Sequence, residues 1–326
     1  MKRVFVTGAA GFIGGTVAEE FAGRGWHVVA LARRRTSARL DRLVEDDRAT
    51  VVRGDAADLP GLRRTLSGER IDAIAHCAGR ASDCGPREAF VRDNVDSTAA
   101  MVALTKELGV DRLVHVSTTD VYGLRDFCGG REAELPLRMT IRNPYPETKI
   151  EAERVVRRGL PPERYAIVRP ATVTGPDDTT ITPRVLAFLD ALPVAVHFGR
   201  WRGANRWPLA DVAEVARAVF LGATHPEAAG RAIHVLDDER TSADDFYRGL
   251  LAAHRPGKRY RSITLPFWVG EALALAVDVA TKALGRDEPI ADPTRYGLWF
   301  ANRDLDFDSS AWRALLGSDP AGSDPI

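Results

Sequence analysis

A tyrosine and a lysine four residues apart form the pair with the clearest chemical potential in this sequence. Tyr145 and Lys149 bound the segment YPETK, and side chains at this spacing meet on one face of a helix. A free tyrosine has a pKa of about 10, and a nearby ammonium group lowers that pKa by stabilising the phenolate. Such a tyrosine can exchange a proton with a substrate oxygen. Because prolines flank Tyr145 and proline favours the first helical position, we expect Tyr145 just before or at the helix start.

Hydroxyl side chains follow a predicted strand at Leu113–Ser117. Thr118 is our candidate for a hydrogen bond to the reacting oxygen, with Ser117 as the alternative. The reason is that the carboxyl end of a strand faces the ligand crevice of an open α/β sheet. The same cluster also fits ordinary turn chemistry at a strand end.

Three glycines in the pattern G-x-x-G-x-x-G follow the first predicted strand. Arg3–Thr7 leads into Gly8, Gly11 and Gly14. In a dinucleotide-binding loop the first glycine permits the tight turn, the second lets backbone N–H groups approach a pyrophosphate, and the third lets the helix pack against the strand. The positive end of the helix dipole then faces the phosphates. We therefore expect a nicotinamide dinucleotide, which would exchange hydride while Tyr145 exchanges the proton; a structural glycine turn is the alternative.

The end of the second predicted strand, His27–Leu31, indicates the choice of cofactor. NAD-specific sites usually carry an acidic residue here, whereas this sequence has Ala32 followed by three arginines. Guanidinium groups suit a 2′-phosphate, so we favour NADP(H) over NAD(H), with Arg33 or Arg34 as the contact. An exposed arginine-rich loop is the alternative.

Asp55, after the third strand, either reaches the adenine amino group or caps the next turn.

Alternating strands and helices in the first 170 residues must position these groups. The predicted strands are Arg3–Thr7, His27–Leu31, Thr50–Arg53, Ala73–His76, Leu113–Ser117 and Ala166–Arg169. The predicted helices lie near 12–24, 37–45, 59–67, 87–108 and 147–158. This spacing indicates parallel strands joined by right-handed crossovers, and helices on both faces explain the uniformly apolar strands. We predict an α/β Rossmann fold, a doubly wound parallel sheet in residues 1–170.

The remaining residues, 171–326, are predicted to form mainly a smaller C-terminal α/β substrate domain. One or two of its elements are expected to cross back to the main sheet. Predicted pieces include helices at 183–191 and 242–253, a strand at 231–236, and an apolar helix at 266–284.

The composition excludes several classes of protein. The chain of 326 residues carries 45 basic and 45 acidic residues, whereas nucleic-acid-binding proteins usually carry a basic excess. Three cysteines without metal-ligand spacing indicate neither a disulfide scaffold nor a zinc site and fit a reducing compartment. No signal-peptide pattern or uninterrupted apolar span is found. We therefore expect a cytoplasmic protein with a small-molecule substrate, no metal, no nucleic-acid partner and no stable membrane insertion.

Together these motifs resemble an extended short-chain dehydrogenase/reductase. This superfamily includes sugar-nucleotide epimerases, dehydratases and 3β-hydroxysteroid dehydrogenases. The resemblance rests on the glycine loop, the segment STTDVYG at 117–123, and the pair Tyr145 and Lys149. Further matches are the segment 93–98 with Asn94, RPATVTGP at 169–176, and the segments 206–209 and 211–216. The resemblance covers about residues 1–316.

The resemblance implies a catalytic triad of Thr118, Tyr145 and Lys149, in which Tyr145 is the acid/base and Lys149 also binds the nicotinamide ribose. It implies cofactor contacts from Gly8, Gly11, Phe12, Ile13, Gly14, Arg33, Arg34, Asp55, Ala56, Tyr145, Lys149, Pro170 and Val173. Substrate contacts are expected from Thr119, Thr172 and Arg206. A homodimer formed through the helices near 87–108 and 147–158 is also implied.

Two departures and one match narrow the function within the family. Dehydratases carry Asp and Glu directly after the catalytic Thr, whereas Thr119 and Asp120 stand here, which disfavours sugar dehydration. Sugar-nucleotide epimerases usually carry the acidic residue after the second strand that Ala32 replaces. The segment Leu265–Trp268 and the following apolar helix resemble 3β-hydroxysteroid dehydrogenase-like members, in which this region covers an apolar substrate. Alternatively, the helix completes the core or makes a weak interfacial membrane contact.

The sequence therefore favours an NADP(H)-dependent oxidoreductase that interconverts a ketone and a secondary alcohol on an apolar, sterol-like or polyketide-like substrate. One alternative is a nucleotide-sugar 4-epimerase or 4-reductase, in which Arg206 would bind the diphosphate. The other is a non-catalytic cofactor-sensing protein, which typically lacks the tyrosine or the lysine that this chain retains.

Overall fold

The computed structural model describes residues 1–237 and 240–319. Its strands are β1 (Arg3–Thr7), β2 (His27–Ala32), β3 (Ala49–Arg53), β4 (Ala73–His76), β5 (Arg112–Val116), β6 (Phe127–Gly130), β7 (Tyr165–Pro170), β8 (Thr172–Thr174), β9 (Ala195–Phe198), β10 (Leu209–Asp211), β11 (Ala232–Val235), β12 (Ser262–Leu265) and β13 (Leu305–Phe307). Its α-helices are α1 (Phe12–Gly23), α2 (Ala38–Glu45), α3 (Leu59–Thr65), α4 (Arg87–Phe90), α5 (Ser97–Glu107), α6 (Pro144–Gly159), α7 (Ile181–Asp190), α8 (Val212–Thr224), α9 (Ala243–His254), α10 (Phe267–Ala283), α11 (Arg295–Ala301) and α12 (Ser310–Gly317).

A seven-stranded sheet in the order β11-β7-β5-β4-β1-β2-β3 forms the centre of the molecule. Every pairing in this sheet is parallel. The chain builds outward from β1 to β3 and then returns to the other side of β1 with β4. This reversal opens a crevice at the carboxyl ends of β1 and β4, where open α/β sheets bind their ligands. The predicted doubly wound Rossmann sheet is confirmed.

Helices cover both faces of the sheet with apolar side chains. On one face, Val17 and Phe21 of α1 and Val219 of α8 pack against the strands. On the other face, Met101 of α5 and Val156 of α6 do the same. Each such side chain contributes about 1.5–3 kcal/mol when fully buried, so the apolar character of the strands fixes the sheet between two helical layers.

Part of the chain after residue 170 belongs to the central sheet. Strand β11 pairs with β7, and α8 packs beside α1. The other late elements form three small parallel pairs, β10 with β8, β12 with β9, and β13 with β6. A separate apolar cluster around Trp207, Phe246 and Tyr247 joins α7 and α9. The predicted division at residue 170 stays a prediction.

Two helices that carry site residues differ from the sequence-based expectation. The helix expected at 87–108 is divided, because a π-helical turn at Val91–Asp96 separates α4 from α5. The helix expected from residue 147 begins three residues earlier, at Pro144. Across the described residues, none of the helices has both the length and the apolar character to cross a membrane.

Candidate active site

The start of α6 fixes the position of Tyr145. Asn143 precedes the helix, and its side-chain Oδ1 accepts a hydrogen bond from the Tyr145 backbone N–H at 2.8 Å. Pro144 occupies the first helical position, where its missing N–H costs nothing. Tyr145 therefore lies within the first helical turn, and Lys149 follows one turn later on the same side of the helix.

Thr118 lies directly beside Tyr145 at the end of β5. The Thr118 hydroxyl is near enough to the Tyr145 phenol to favour its ionised form and so to lower its pKa. Ser117 is turned away, because its Oγ donates to the buried carboxylate of Glu153 at 2.7 Å. That carboxylate also forms an ion pair with Arg169 at 2.5 Å. The structure thus brings Thr118, and not Ser117, to Tyr145.

Lys149 is buried beneath the carboxyl edge of the sheet. Its Nζ donates to the Val116 carbonyl oxygen at 2.9 Å, and burial lowers the pKa of Lys149 to about 8. Gly79 is required beside it, because a Cβ at Gly79 would lie 3.3 Å from the Lys149 Nζ and 2.9 Å from Asn94 Oδ1.

The phenol of Tyr145 is harder to ionise than the sequence suggested. Burial raises the pKa of Tyr145 above its ordinary value, the negative charge of Asp120 raises it further, and the hydrogen bond with Thr118 acts in the opposite direction. Lys149 is not among the groups that lower the pKa of Tyr145 here, because its ammonium donates to the Val116 carbonyl oxygen. Its expected effect on the phenolate with the cofactor bound stays a prediction.

Asn94 ties the π-helical turn to α6. Its Nδ2 donates to Thr148 Oγ1 at 2.9 Å, and its Oδ1 accepts from the Arg80 N–H at 2.7 Å. A π-turn changes the direction in which a side chain leaves the helix and often marks a functional site. Here it aims Asn94 at the loop after β4, beside Lys149.

The glycine loop has the shape that a dinucleotide needs. Gly8 has a φ of +68°, and a Cβ there would lie 2.9 Å from the Ala78 backbone nitrogen. A Cβ at Gly14 would overlap the Gly8 carbonyl oxygen. No side chain caps the first turn of α1 at Gly11, which leaves the N–H groups near Phe12 and Ile13 directed at the crevice. These residues fit the pyrophosphate of NAD(P).

The region after β2 and β3 brings charged groups together. The Arg33 side chain is 61% exposed, and its Nη1 lies 3.7 Å from Asp93 Oδ1 and 4.0 Å from Asp55 Oδ2. Asp55 caps its own turn, since its Oδ1 accepts from the Ala57 N–H at 2.9 Å, with Ala56 buried between them. Arg34 is exposed. A guanidinium at this position fits a 2′-phosphate.

Two of the predicted substrate residues, Thr119 and Thr172, follow the carboxyl ends of the neighbouring strands β5 and β7. Thr119 is buried directly after Thr118. Pro170 ends β7, and Thr172 and Val173 belong to β8. Thr172 Oγ1 accepts a hydrogen bond from Trp207 Nε1 at 3.0 Å.

Arg206 is already engaged by carboxylates. Its Nη2 lies 3.4 Å from Asp304 Oδ2, and its Nη1 forms an ion pair with Asp306. These two contacts weaken the expectation that its guanidinium binds a diphosphate.

Sequence reasoning missed one side chain at the site. Tyr296 on α11 donates its O–H to Asp120 Oδ2 at 2.6 Å. Asp120 was visible two residues after Thr118, but no local motif marks Tyr296, which is 176 positions away.

Comparisons with known proteins agree with this geometry. The model of the "NAD dependent epimerase/dehydratase family" matches residues 4–235. The chain is 26% identical over 301 residues to 2-alkyl-3-oxoalkanoate reductase of Shewanella oneidensis, covering 89% of this chain and 76% of that protein. It is 26% identical over 311 residues to sterol-4-alpha-carboxylate 3-dehydrogenase, decarboxylating, of Mus musculus, covering 91% and 81%.

A solved structure is similar over the whole chain. The terminal R domain of the myxalamid PKS-NRPS biosynthetic pathway superposes with a TM-score of 0.75 and 25% identity, covering 100% of this chain and 87% of that one. The family model spans more than half of the chain and includes the glycine loop and the Tyr145–Lys149 pair. The chain therefore belongs to the NAD dependent epimerase/dehydratase family and is an NAD(P)-dependent oxidoreductase of the extended short-chain dehydrogenase/reductase type.

Proposed function

We propose that the protein is an NADP(H)-dependent oxidoreductase that interconverts a ketone and a secondary alcohol on an apolar substrate. One observation carries the proposal: Thr118 lies beside Tyr145, and Lys149, one helical turn later, is held at the carboxyl end of β5 by the Val116 carbonyl. Because the hydroxyl groups of Thr118 and Tyr145 are close together, both can contact a single substrate oxygen.

Thr118, Tyr145 and Lys149 have separate roles in the proposed reduction of a ketone. When bound, the dihydronicotinamide supplies the hydride. Thr118 donates a hydrogen bond to the carbonyl oxygen and polarises it. Tyr145 transfers its phenolic proton to that oxygen as negative charge develops there. Lys149 places a positive charge one helical turn away, and this charge stabilises the phenolate that remains until water returns a proton.

The preference for NADP(H) is supported by the residues that follow β2. Ala32 offers no carboxylate to a ribose 2′-hydroxyl, and the exposed Arg33 side chain that follows it supports a contact with a 2′-phosphate. We expect Arg33→Ala and Arg34→Ala to weaken NADPH binding about tenfold or more and to leave NADH binding nearly unchanged. Titration of nicotinamide fluorescence measures both affinities.

Arg70→Ala is the matched control for this titration. Arg70 is also exposed, but it precedes β4 at the opposite edge of the sheet. Equal NADPH affinity in the wild type and in both arginine variants, or tighter binding of NADH, would contradict the proposed preference and favour the epimerase alternative.

An apolar substrate is supported by the elements that surround Tyr296. Helix α10 packs against α11, which carries Tyr296, through the Phe267 and Trp299 rings at 5.6 Å. Several apolar side chains of α10 remain exposed, among them Trp268 and Leu273. The two named relatives act, by their names, on 2-alkyl-3-oxoalkanoates and on sterol carboxylates.

A substrate panel tests the proposed chemistry against its alternatives. We expect NADPH oxidation with 2-decalone or 5α-cholestan-3-one and none with UDP-glucose or dTDP-glucose. Turnover of a nucleotide sugar that is lost in Arg206→Ala would establish the epimerase or 4-reductase alternative. Tight NADP(H) binding without turnover of any carbonyl compound would favour the cofactor-sensing alternative.

We also propose that the protein works as a cytoplasmic homodimer with a substrate-binding portion formed mainly by residues 171–326. Cys77, Cys84 and Cys128 are not joined in disulfides, which supports a reducing compartment. The resemblance to extended short-chain dehydrogenase/reductases supports dimer contacts through α4, α5 and α6.

A further inference from the structure

A carboxylic acid and a second tyrosine stand beside Tyr145. Asp120 follows Thr118 by two residues, and its backbone N–H donates to Thr118 Oγ1 at 3.2 Å. Tyr296 donates its O–H to Asp120 Oδ2 at 2.6 Å. The charge of Asp120 raises the pKa of Tyr145, and the charge of Tyr145 raises the pKa of Tyr296. The site therefore contains an ionisable pair that the Thr118–Tyr145–Lys149 mechanism does not use.

One loop residue links the two helices that present the tyrosines. The backbone oxygen of Asp83 accepts from Asn143 Nδ2 at 3.0 Å, and Asn143 caps the helix of Tyr145. The Asp83 carboxylate accepts from Thr294 Oγ1 at 2.6 Å, and Thr294 caps the helix of Tyr296. Because the same residue holds both helix starts, the two phenols keep a fixed spacing around Asp120.

Of the two carboxylates Asp83 and Asp120, Asp120 is the one without a basic partner among the described residues. Asp83 is paired with Arg184 at 2.8 Å. Within residues 1–237 and 240–319, no lysine or arginine forms an ion pair with Asp120. Burial raises the pKa of Asp120 to about 6, and the hydrogen bond from Tyr296 opposes that rise. Above this pH its negative charge acts on Tyr145.

Resting on the proposed function, we propose that Asp120, which accepts a hydrogen bond from Tyr296, is a positioning residue for Tyr145. It keeps Tyr145 in the phenol form, ready to donate a proton to the ketone oxygen during reduction. A carboxylate beside a phenol disfavours a second negative charge. In reduction, the Tyr145 O–H bond breaks and its proton joins the oxygen of the new alcohol. Water then returns a proton to the phenolate, and the charge of Asp120 favours that return. The overall equilibrium of the reaction is unchanged.

The groups that face Asp120 come from four parts of the chain. They are Tyr296 on α11, Tyr145 on α6, Asp83 in the loop before α4, and Thr118 at the end of β5. None of these neighbours carries positive charge that could offset the Asp120 carboxylate. Protonation of Asp120 therefore removes the charge that raises the pKa of Tyr145.

Nuclear magnetic resonance of tyrosine tests this proposal without turnover. The chain contains six tyrosines, so protein labelled with carbon-13 at the tyrosine ζ carbon gives few signals, and Tyr145→Phe assigns the relevant one. The pH titration is recorded with saturating NADP⁺ and no substrate. We expect Asp120→Asn to move the Tyr145 midpoint to lower pH by on the order of one unit. Asp120→Glu, which retains the charge, keeps the wild-type midpoint.

Glu163→Gln is the matched control, because it removes an exposed carboxylate before the amino end of β7, at the opposite edge of the sheet. The proposal is overturned if Asp120→Asn has the wild-type midpoint, or if Tyr145 stays a phenol throughout the titration of that variant. An inactive ketone panel combined with the expected shift would count against the proposed function alone.

A second measurement needs no substitution at Asp120. In the wild type, the Tyr145 and Tyr296 signals should both show a small inflection near pH 6 as Asp120 loses its proton, and Tyr296→Phe should move the Tyr145 inflection to higher pH. If neither signal responds in this range, the carboxylate does not act on the phenols and the proposal fails.

Discussion

Lys149 is the residue whose ionisation most directly limits the proposed chemistry. Burial lowers its pKa to about 8, so its ammonium is present below that pH and is lost above it. We predict that kcat/KM for ketone reduction declines above about pH 8 and that Lys149→Met lowers it by about 10²–10⁴-fold while removing this alkaline limb. A pH profile from neutral to alkaline solution measures both effects. A wild-type profile that stays level across pH 8 would contradict this role.

The start of α6 is the element on which the position of Tyr145 depends. Removing its cap in Asn143→Ala should cost about 1 kcal/mol of unfolding free energy and reduce kcat about tenfold or more, because Tyr145 shifts from Thr118. Ser242→Ala removes a comparable cap from α9, whose Ser242 Oγ accepts from the Asp245 N–H at 3.1 Å. It should cost similar stability and leave kcat nearly unchanged. Equal losses of kcat in the two variants would show that α6 has no special positioning role.

At the scale of the whole molecule, the outer surface of α6 beside the π-helical turn is the expected dimer contact. A cavity of about 390 Å³ there is lined by apolar side chains, among them Val95 and Ile150, and by charged ones, among them Glu147 and Arg154. We predict a dimer in sedimentation velocity and a shift towards monomer in Val95→Arg, because burying an additional guanidinium in the contact is costly. Val44→Arg, on the exposed face of α2, is the control. A wild-type monomer at all concentrations would contradict the prediction.

Local patterns predicted the sheet but not the contacts between distant segments. The apolar strand runs and the glycine loop are short-range signals, so β1, β2, β4, β5 and β7 were placed within a residue or two. The π-helical turn was missed because hydrophobic periodicity does not reveal one extra residue in a turn.

For the candidate site, the sequence likewise predicted the residues with local motifs but not the contacts between distant segments. Thr118, Tyr145 and Lys149 follow from local spacing and from the strand end, and the structure brings Thr118 and Tyr145 into contact. The contacts of Asp120 with Tyr296 and of Arg206 with Asp306 join segments far apart in sequence, and neither has a local signature. Strands β6 and β13 were missed for the same reason, since each is short and depends on pairing with a strand far away in the sequence.

Transfer of deuterium from NADPH to a ketone tests the central claim most directly. NADPH carrying deuterium at the reactive nicotinamide carbon is incubated with 2-decalone and with 5α-cholestan-3-one, and each product alcohol is analysed by mass spectrometry. We predict that the wild type places one deuterium on the carbinol carbon and that Tyr145→Phe, which still binds NADPH, slows this transfer by about 10²–10⁴-fold. Equal transfer rates in the two proteins, or bound NADPH with no labelled alcohol, would contradict the assignment of Tyr145 as the proton donor of a ketone reductase.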